Sequence, residues 1–197
     1  VKWIVPAGIY LSLCYGVSAA AFSIDEGSDG DISGIGAFPT SLTLQSGANS
    51  LVGSAGQLDF DIFHINITSP LAITQITLNQ YSPSAGISFL GIQEGNTWTA
   101  GVGNGVSGSA LIGWTLFGAN NIGDDILPIA NTTNNGASGF DIPLSAGDYV
   151  FLIQDTGSPI SYDLSFTAAP VPVPAGVILF LSGLAGLLAT CKFADNN

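Results

Sequence analysis

The clearest pattern along the chain is a two-residue alternation of apolar and polar positions. Between Asp59 and Ile67, the apolar side chains of Phe63, Ile65 and Ile67 alternate with polar neighbours, which is the period of a half-buried β-strand. Similar stretches, rich in Ile, Thr and aromatic residues, predict further strands. These predicted strands cover residues 71–81, 87–93, 111–117, 140–144, 149–154 and 160–166.

Short segments rich in Gly, Pro, Asn and Ser separate the predicted strands. Residues 101–109 predict a Gly-rich loop, residues 145–148 a turn, and residues 156–159 a hairpin connection. No convincing helical period occurs between the two ends of the chain. We therefore predict an all-β domain over residues 22–168, folded as an antiparallel, jelly-roll-like β-sandwich.

The C-terminal region has a different pattern, a continuous apolar run. Residues 175–191 carry no formal charge, and a helix of that length at about 1.5 Å per residue is just long enough to cross a bilayer. We predict a transmembrane helix over this range. A buried core helix is the alternative, but only Ser182 and Thr190 would supply its polar stripe.

The N-terminal region predicts an export signal. Lys2 is followed by an apolar segment up to Val17 and then by the small residues 18–21. This succession of charged, apolar and small-residue regions is typical of a secretory signal peptide, here over residues 1–21. An uncleaved N-terminal anchor is the alternative.

A proline motif precedes the C-terminal apolar run and is the most specific signal in the sequence. Its residues are Val171, Pro172, Val173, Pro174 and Ala175. The order of motif, apolar helix and cationic tail over residues 169–197 resembles the PEP-CTERM sorting signal of Gram-negative bacteria, in its VPxPA form. The resemblance implies that an exosortase-like membrane protease cuts near the motif and releases the protein or transfers it to the cell surface. Val173 stands where many members have Glu, and Lys192 stands alone where most have a basic cluster.

The middle of the chain resembles the pre-peptidase C-terminal type of β-sandwich found in exported bacterial proteins. The matching segments are residues 25–34, 59–67, 144–150 and 162–166. Such modules are usually noncatalytic accessories, and the resemblance implies the same here.

Charge and cysteine content narrow the possible functions. The chain has a net charge of −12, and its only basic residues are Lys2 and Lys192. The predicted sandwich therefore has no Lys or Arg, which excludes nucleic-acid binding through phosphate neutralisation. Cys14 and Cys191 lie in the two terminal segments, so neither a disulfide framework nor a thiolate metal site is available to the sandwich.

An acidic segment at the start of the predicted sandwich is the candidate metal site. Four carboxylates fall within seven residues, at Asp25, Glu26, Asp29 and Asp31. Clustered carboxylates with glycines suit calcium, which takes six to eight oxygen ligands, although the spacing is not that of an EF-hand. Asp59 and Asp61 complete such a site only if the fold brings them close. The alternative is a solvated acidic segment with no ion.

Two other kinds of site find less support. His64 is the only histidine, its alternation in the strand places it on the solvent face, and no serine lies in a Gly-x-Ser-x-Gly turn, so we predict no catalytic residues. A carbohydrate site is the stronger rival. Trp98 lies between two threonines in a polar loop and is predicted to be exposed, whereas Trp114 lies in an apolar run and is predicted to be in the core.

These observations predict an exported, noncatalytic protein of the cell surface or extracellular matrix of a Gram-negative bacterium. Its expected partners are the export machinery, an exosortase-like protease, the membrane before processing, and extracellular polysaccharide. A calcium- or carbohydrate-binding accessory module is the alternative, and a secreted hydrolase a weaker one. Ca²⁺ is the one cofactor that the sequence suggests.

Overall fold

The computed structural model describes residues 21–155, 157–171 and 180. The predicted signal peptide falls almost entirely outside the described residues. So does the predicted transmembrane helix apart from Phe180, whose side chain is exposed. In the part of the chain that is described, no helix has both the length and the apolarity needed to cross a membrane.

Within the described residues, nine strands form two sheets. Sheet A has the order β1-β3-β9-β5 and sheet B the order β2-β4-β8-β6-β7. The strands are β1 (Ser23–Asp25), β2 (Thr40–Thr43), β3 (Gly47–Ala55), β4 (Phe60–Ile67), β5 (Leu71–Ser82), β6 (Ile87–Glu94), β7 (Gly113–Gly118), β8 (Gly147–Gln154) and β9 (Ile160–Pro170). In the same part of the chain, two short α-helices, α1 (Glu26–Asp29) and α2 (Leu127–Ala130), and four 3-10 turns lie between the strands. The prediction of an all-β domain is confirmed at this level.

One hydrophobic core lies between the sheets. Alternate residues of each central strand point inward, and Phe63, Phe151 and Phe166 meet at its centre. The rings of Phe63 and Phe151 stack within sheet B with centroids 5.2 Å apart, and each meets Phe166 of sheet A edge-on, at 5.8 and 5.6 Å. In β4 and β9 the period-2 pattern thus locates the face that packs against the opposite sheet.

The pairing is not antiparallel throughout, and in this respect the prediction is wrong. β1 runs parallel to β3 at one end of sheet A, and β2 runs parallel to β4 at one end of sheet B. Parallel neighbours need a long crossover connection. Residues 26–46 provide one by carrying the chain from sheet A through β2 and back, so β3 can enter beside β1 in the same direction.

Two further local predictions are wrong. Residues 140–144 form no strand apart from one isolated bridge between Leu144 and Ile73. Residues 156–159 do not close a hairpin, because β8 pairs within sheet B whereas β9 pairs within sheet A. The chain passes instead from sheet B to sheet A between β8 and β9.

A second, smaller apolar cluster covers the outer face of sheet B. Strand residues of this face, including Val150 and Leu152, are buried beneath the long connection between β6 and β7. Trp98, Ala100 and Leu111 of that connection supply the covering side chains. Sheet B is therefore packed on both faces over part of its area.

Candidate functional site

Glu26 is held where the chain leaves sheet A for sheet B. It begins α1, and its carboxylate accepts hydrogen bonds from the backbone N–H of Ile32, at 2.9 Å, and from that of Ser54 on β3, at 2.6 Å. The Ser54 hydroxyl donates a third bond at 3.1 Å. These bonds attach the N-terminal segment, here residues 22–32, to β3 of the sandwich. They also fix the position of the Glu26 carboxylate.

Asp61 points into the sandwich from β4. Its side chain is 0% exposed, and the hydroxyl of Tyr162 on β9 donates a 2.7 Å hydrogen bond to Oδ2. Oδ1 has no hydrogen-bond partner among the described residues. An unpartnered oxygen on a buried carboxylate is costly, so this atom needs a proton, water or cation.

Burial is the main reason that the pKa of Asp61 is raised to about 9. The bond from Tyr162 lowers this pKa, whereas the neighbouring charges of Glu26 and Asp59, and a hydrogen bond from the protonated Asp61 carboxyl group to Glu26, raise it further. The same surroundings raise the pKa of the Tyr162 hydroxyl well above its ordinary value, again chiefly through burial and then through the charge of Asp61. Both shifts indicate a site with excess negative charge.

Glu26, Asp31 and Asp61 form a cluster that can hold a metal ion. One oxygen from each lies within 4.8 Å of the others. Two oxygens bound to one Ca²⁺ at about 2.4 Å can be at most about 4.8 Å apart, so the three fit around a single ion. Asp31 is exposed and Asp61 is buried, so the cluster extends from the protein surface to a buried position on β4.

The structure brings together only part of the acidic set predicted from the sequence. Glu26 and Asp31 belong to the cluster, but Asp25 and Asp29 do not. Asp25 caps α1 by accepting the N–H of Gly27 at 2.9 Å, and Asp29 accepts the N–H of Asp25 at 2.9 Å. These two carboxylates stabilise the helical turn.

Asp59 lies at the edge of the cluster. Its pKa is raised by partial burial and then by the charges of Asp31 and Glu26. The fold therefore brings Asp61 into the cluster. Asp59 lies close to the cluster but does not belong to it.

His64 lies on the outer face of sheet B, as its alternation predicts. Its Nε2 lies 2.9 Å from Oδ1 of Asp148, which also accepts a 2.7 Å bond from the Asn66 amide. These two hydrogen bonds lower the pKa of Asp148, that from Asn66 more than that from His64. The group pairs a histidine with a carboxylate and an amide, and none of the three is a serine-type nucleophile.

The predicted exposure of the two tryptophans is reversed. Trp98 is only 6% exposed, its indole N–H donates to the carbonyl of Gly101 at 2.6 Å, and it belongs to the outer cluster of sheet B. The prediction that Trp98 offers an open face to a ligand is wrong, because the surrounding loop folds it inward. Trp114 is the more exposed of the two.

Only the first residue of the sorting motif is described. The backbone N–H of Val171 donates to the carbonyl of Pro70 at 2.7 Å, directly after the end of β9. Its side chain is 43% exposed. Pro172, Val173, Pro174 and Ala175 lie outside the described residues.

Comparison of the chain with protein-family models, with curated proteins and with solved structures gives no match. The resemblances to the PEP-CTERM signal and to the pre-peptidase C-terminal module stay predictions.

Proposed function

We propose that this protein is an exported, noncatalytic, jelly-roll-like β-sandwich that binds a calcium ion where its N-terminal segment joins the sandwich. The ion is held by Glu26, Asp31 and Asp61. The observation that carries the proposal is the buried carboxylate of Asp61. One of its oxygens lies within 4.8 Å of oxygens of Glu26 and Asp31, and its Oδ1 has no hydrogen-bond partner in the described part of the chain.

The charge balance supports a cation as the missing partner. No Lys or Arg occurs between Lys2 and Lys192, so no described residue can neutralise the cluster through a Lys or Arg ion pair. A buried carboxylate among like charges is strongly unfavourable unless it is protonated or paired with a cation. A divalent ion neutralises two of the three charges and supplies Oδ1 with a ligand bond.

The ligand chemistry favours calcium over other divalent ions. All three side chains are carboxylates, whereas zinc sites are usually built from Cys and His. Magnesium usually takes one or two protein carboxylates and keeps most of its water. Calcium accepts three carboxylates from separate segments, and water and backbone carbonyls can complete its shell.

Two features support a noncatalytic, exported role. His64 is engaged with Asp148 and Asn66 rather than with a nucleophile. The sequences of the terminal segments resemble the signals of a secreted protein sorted by an exosortase-like protease. In this proposal the sandwich acts at the cell surface or in an extracellular matrix containing polysaccharide. Extracellular modules bind calcium with dissociation constants of about 10⁻⁴–10⁻³ M, which suits this setting. Mass spectrometry of the exported protein tests the sorting proposal by locating both mature ends.

Thermal unfolding of the full chain tests calcium binding. Calcium at about 100 times its Kd should add about 2.7 kcal/mol of stability, which raises the Tm by about 5–10 °C for a chain of this size. A chelator should reverse the shift, and Mg²⁺ should give a smaller one. Asp61→Asn should abolish it, while Asp141→Asn, the same substitution at an exposed site outside the cluster, should retain it. A Tm that calcium leaves unchanged would refute the proposed site.

A further inference from the structure

Two aromatic rings form an apolar wall on the outer face of sheet B. Phe89 of β6 and Trp114 of β7 are partly exposed, with centroids 5.9 Å apart and planes tilted by only 23°. They line a cleft of about 160 Å³. Its other lining residues are Val106, Gly108, Leu111 and Asn135.

The rim of this aromatic cleft is made by two loops that pack closely together. A side chain at Gly108 would collide with the carbonyl oxygen of Asn135, so only glycine permits this approach. The indole N–H of Trp114 donates to the carbonyl of Asn134 at 3.1 Å, which fixes the ring against the same loop. The cleft is thus largely formed before any ligand enters.

Asn135 has an unusual backbone at this rim. Its φ of 54° makes it the one non-glycine residue with a positive φ in the described part of the chain. Its side chain is exposed at the edge of the cleft, where the amide can both donate and accept hydrogen bonds. Asparagine adopts the left-handed region more readily than most residues, so this turn holds Asn135 at the rim without marked strain.

The chemistry of the lining identifies the class of ligand. No lining residue is charged, and the chain as a whole carries −12, so an anionic ligand would be repelled. A flat apolar wall with an amide at its rim suits a ring that has apolar C–H faces and hydroxyl edges. We propose that the aromatic cleft binds one ring of a neutral saccharide, stacked on Trp114 and hydrogen-bonded to Asn135.

The size of the cleft and its surroundings favour this ligand over an apolar peptide. Sites for drug-sized molecules usually measure about 300–1,000 Å³, so 160 Å³ suits a single ring. A second cleft of about 200 Å³ shares Phe89 with the first, and its lining includes Asn104 and Gln154. The Gln154 amide is bonded to the backbone of Gly103, so Asn104 supplies the free amide of this cleft. Consecutive rings of a neutral polysaccharide would occupy the two clefts in turn, with Phe89 as the shared wall.

Titration of the full chain with neutral oligosaccharides, followed by NMR, tests this proposal. The probes are β- and α-linked glucose, mannose and galactose oligomers of two to six units. We expect saturable shifts of the Trp114 indole resonance, which can be assigned because the chain has only three tryptophans. Trp114→Ala and Asn135→Gly should each weaken binding about tenfold or more. Backbone amide shifts report binding in Trp114→Ala, because this variant lacks the indole resonance. Glycine accepts the positive φ at position 135, so Asn135→Gly removes the amide without straining the loop.

Phe38→Ala is the matched control, since it removes an aromatic ring that is 75% exposed and lies outside the cleft. Binding should be unchanged in this variant and should persist in chelator, which separates this proposal from calcium binding. Absence of saturable binding by every oligosaccharide would overturn the proposal. Unchanged affinity in both cleft variants would also overturn it, as would saturation by apolar peptides alone.

Discussion

Asp61 has the most unfavourable surroundings of any carboxylate in the described part of the sandwich. It is fully buried, one of its oxygens lacks a partner, and its nearest charged neighbours have the same sign. Without a cation, the side chain reduces this cost by keeping its proton, which is why its pKa rises to about 9. With a cation, the same oxygen becomes a ligand.

The raised pKa predicts how stability depends on pH in the absence of metal. The pKa of Asp61 is about 9 in the folded state and near 3.8 when unfolded. Between these values the folded state holds a proton that the unfolded state has released. The contribution of Asp61 to the free energy of unfolding is therefore greatest below about pH 4. It falls as the pH rises to about 9, by at most about 1.4 kcal/mol per pH unit. Chemical denaturation in chelator at intervals from pH 5 to pH 9 measures this slope.

Asp61→Asn supplies the comparison for the pH experiment. Asparagine keeps the shape and has no charge to acquire, so the variant should show a much shallower slope. Glu26, Asp31, Asp59 and Tyr162 face the same space and remain in the variant, so their contribution can be subtracted. Equal slopes in the two proteins would show that Asp61 is not the titrating group.

At the scale of single residues, the sequence predicted only part of the proposed calcium site. The acidic segment indicated Glu26 and Asp31, because local clustering is visible in the sequence. Asp61 had a signal of its own, since it falls in phase with the inward positions Phe63 and Ile65. Trp98 was assigned wrongly because its immediate neighbours are polar, whereas its packing partners come from distant strands.

The strands β3 and β9 hold Tyr162 in position beneath Asp61. Gly53 lies directly opposite Tyr162, and an added Cβ would stand 2.5 Å from the tyrosine hydroxyl. Gly53→Ala should therefore displace that hydroxyl and destabilise the fold by about 1–3 kcal/mol, as overpacking does. Gly105→Ala adds the same methyl group in open space and should be nearly neutral. Urea denaturation of both variants provides the measurement, and equal stability would contradict the packing described here.

The connection between β6 and β7 depends on Trp98 to stay packed on sheet B. Removing its side chain in Trp98→Ala should cost about 3–5 kcal/mol, because the outer cluster loses its largest member. Phe38→Ala, at a highly exposed aromatic residue, should change stability by about 0.5 kcal/mol or less. Calorimetry of both variants checks this difference, and a stable Trp98→Ala protein would contradict the covering role of the loop.

Most of the longer strands could be predicted, and the short or irregular ones could not. β4, β5, β6, β8 and β9 have enough apolar residues to show their period. β3 was missed because Gly, Ala, Ser and Asn occupy most of its positions and leave little alternation to detect. The sheet to which β9 belongs depends on contacts with β3 and β5, so the turn before it could not reveal the crossing.

At the scale of the whole molecule, the main electrostatic fact is the almost complete absence of positive charge. Among the described residues only His64 can become cationic, while the chain carries a net −12. Such a surface repels itself, and salt screens this repulsion.

We therefore expect the Tm in chelator to rise by a few degrees when NaCl is increased from about 0.01 M to about 1 M, as the Debye length falls from about 30 to about 3 Å. A protein stabilised by surface ion pairs would show the opposite trend. Scanning calorimetry across this series provides the test, and a Tm that falls with salt would contradict an unbalanced negative surface.

The central claim is that one calcium ion joins the N-terminal segment to the sandwich through Glu26, Asp31 and Asp61. Isothermal titration of the metal-free full chain with CaCl₂ tests it most directly, with Asp61→Asn and Asp141→Asn measured alongside. We predict one calcium per chain for the native protein and for Asp141→Asn, and none at this site for Asp61→Asn. Absence of binding to the native chain, or equal binding by Asp61→Asn, would contradict the account.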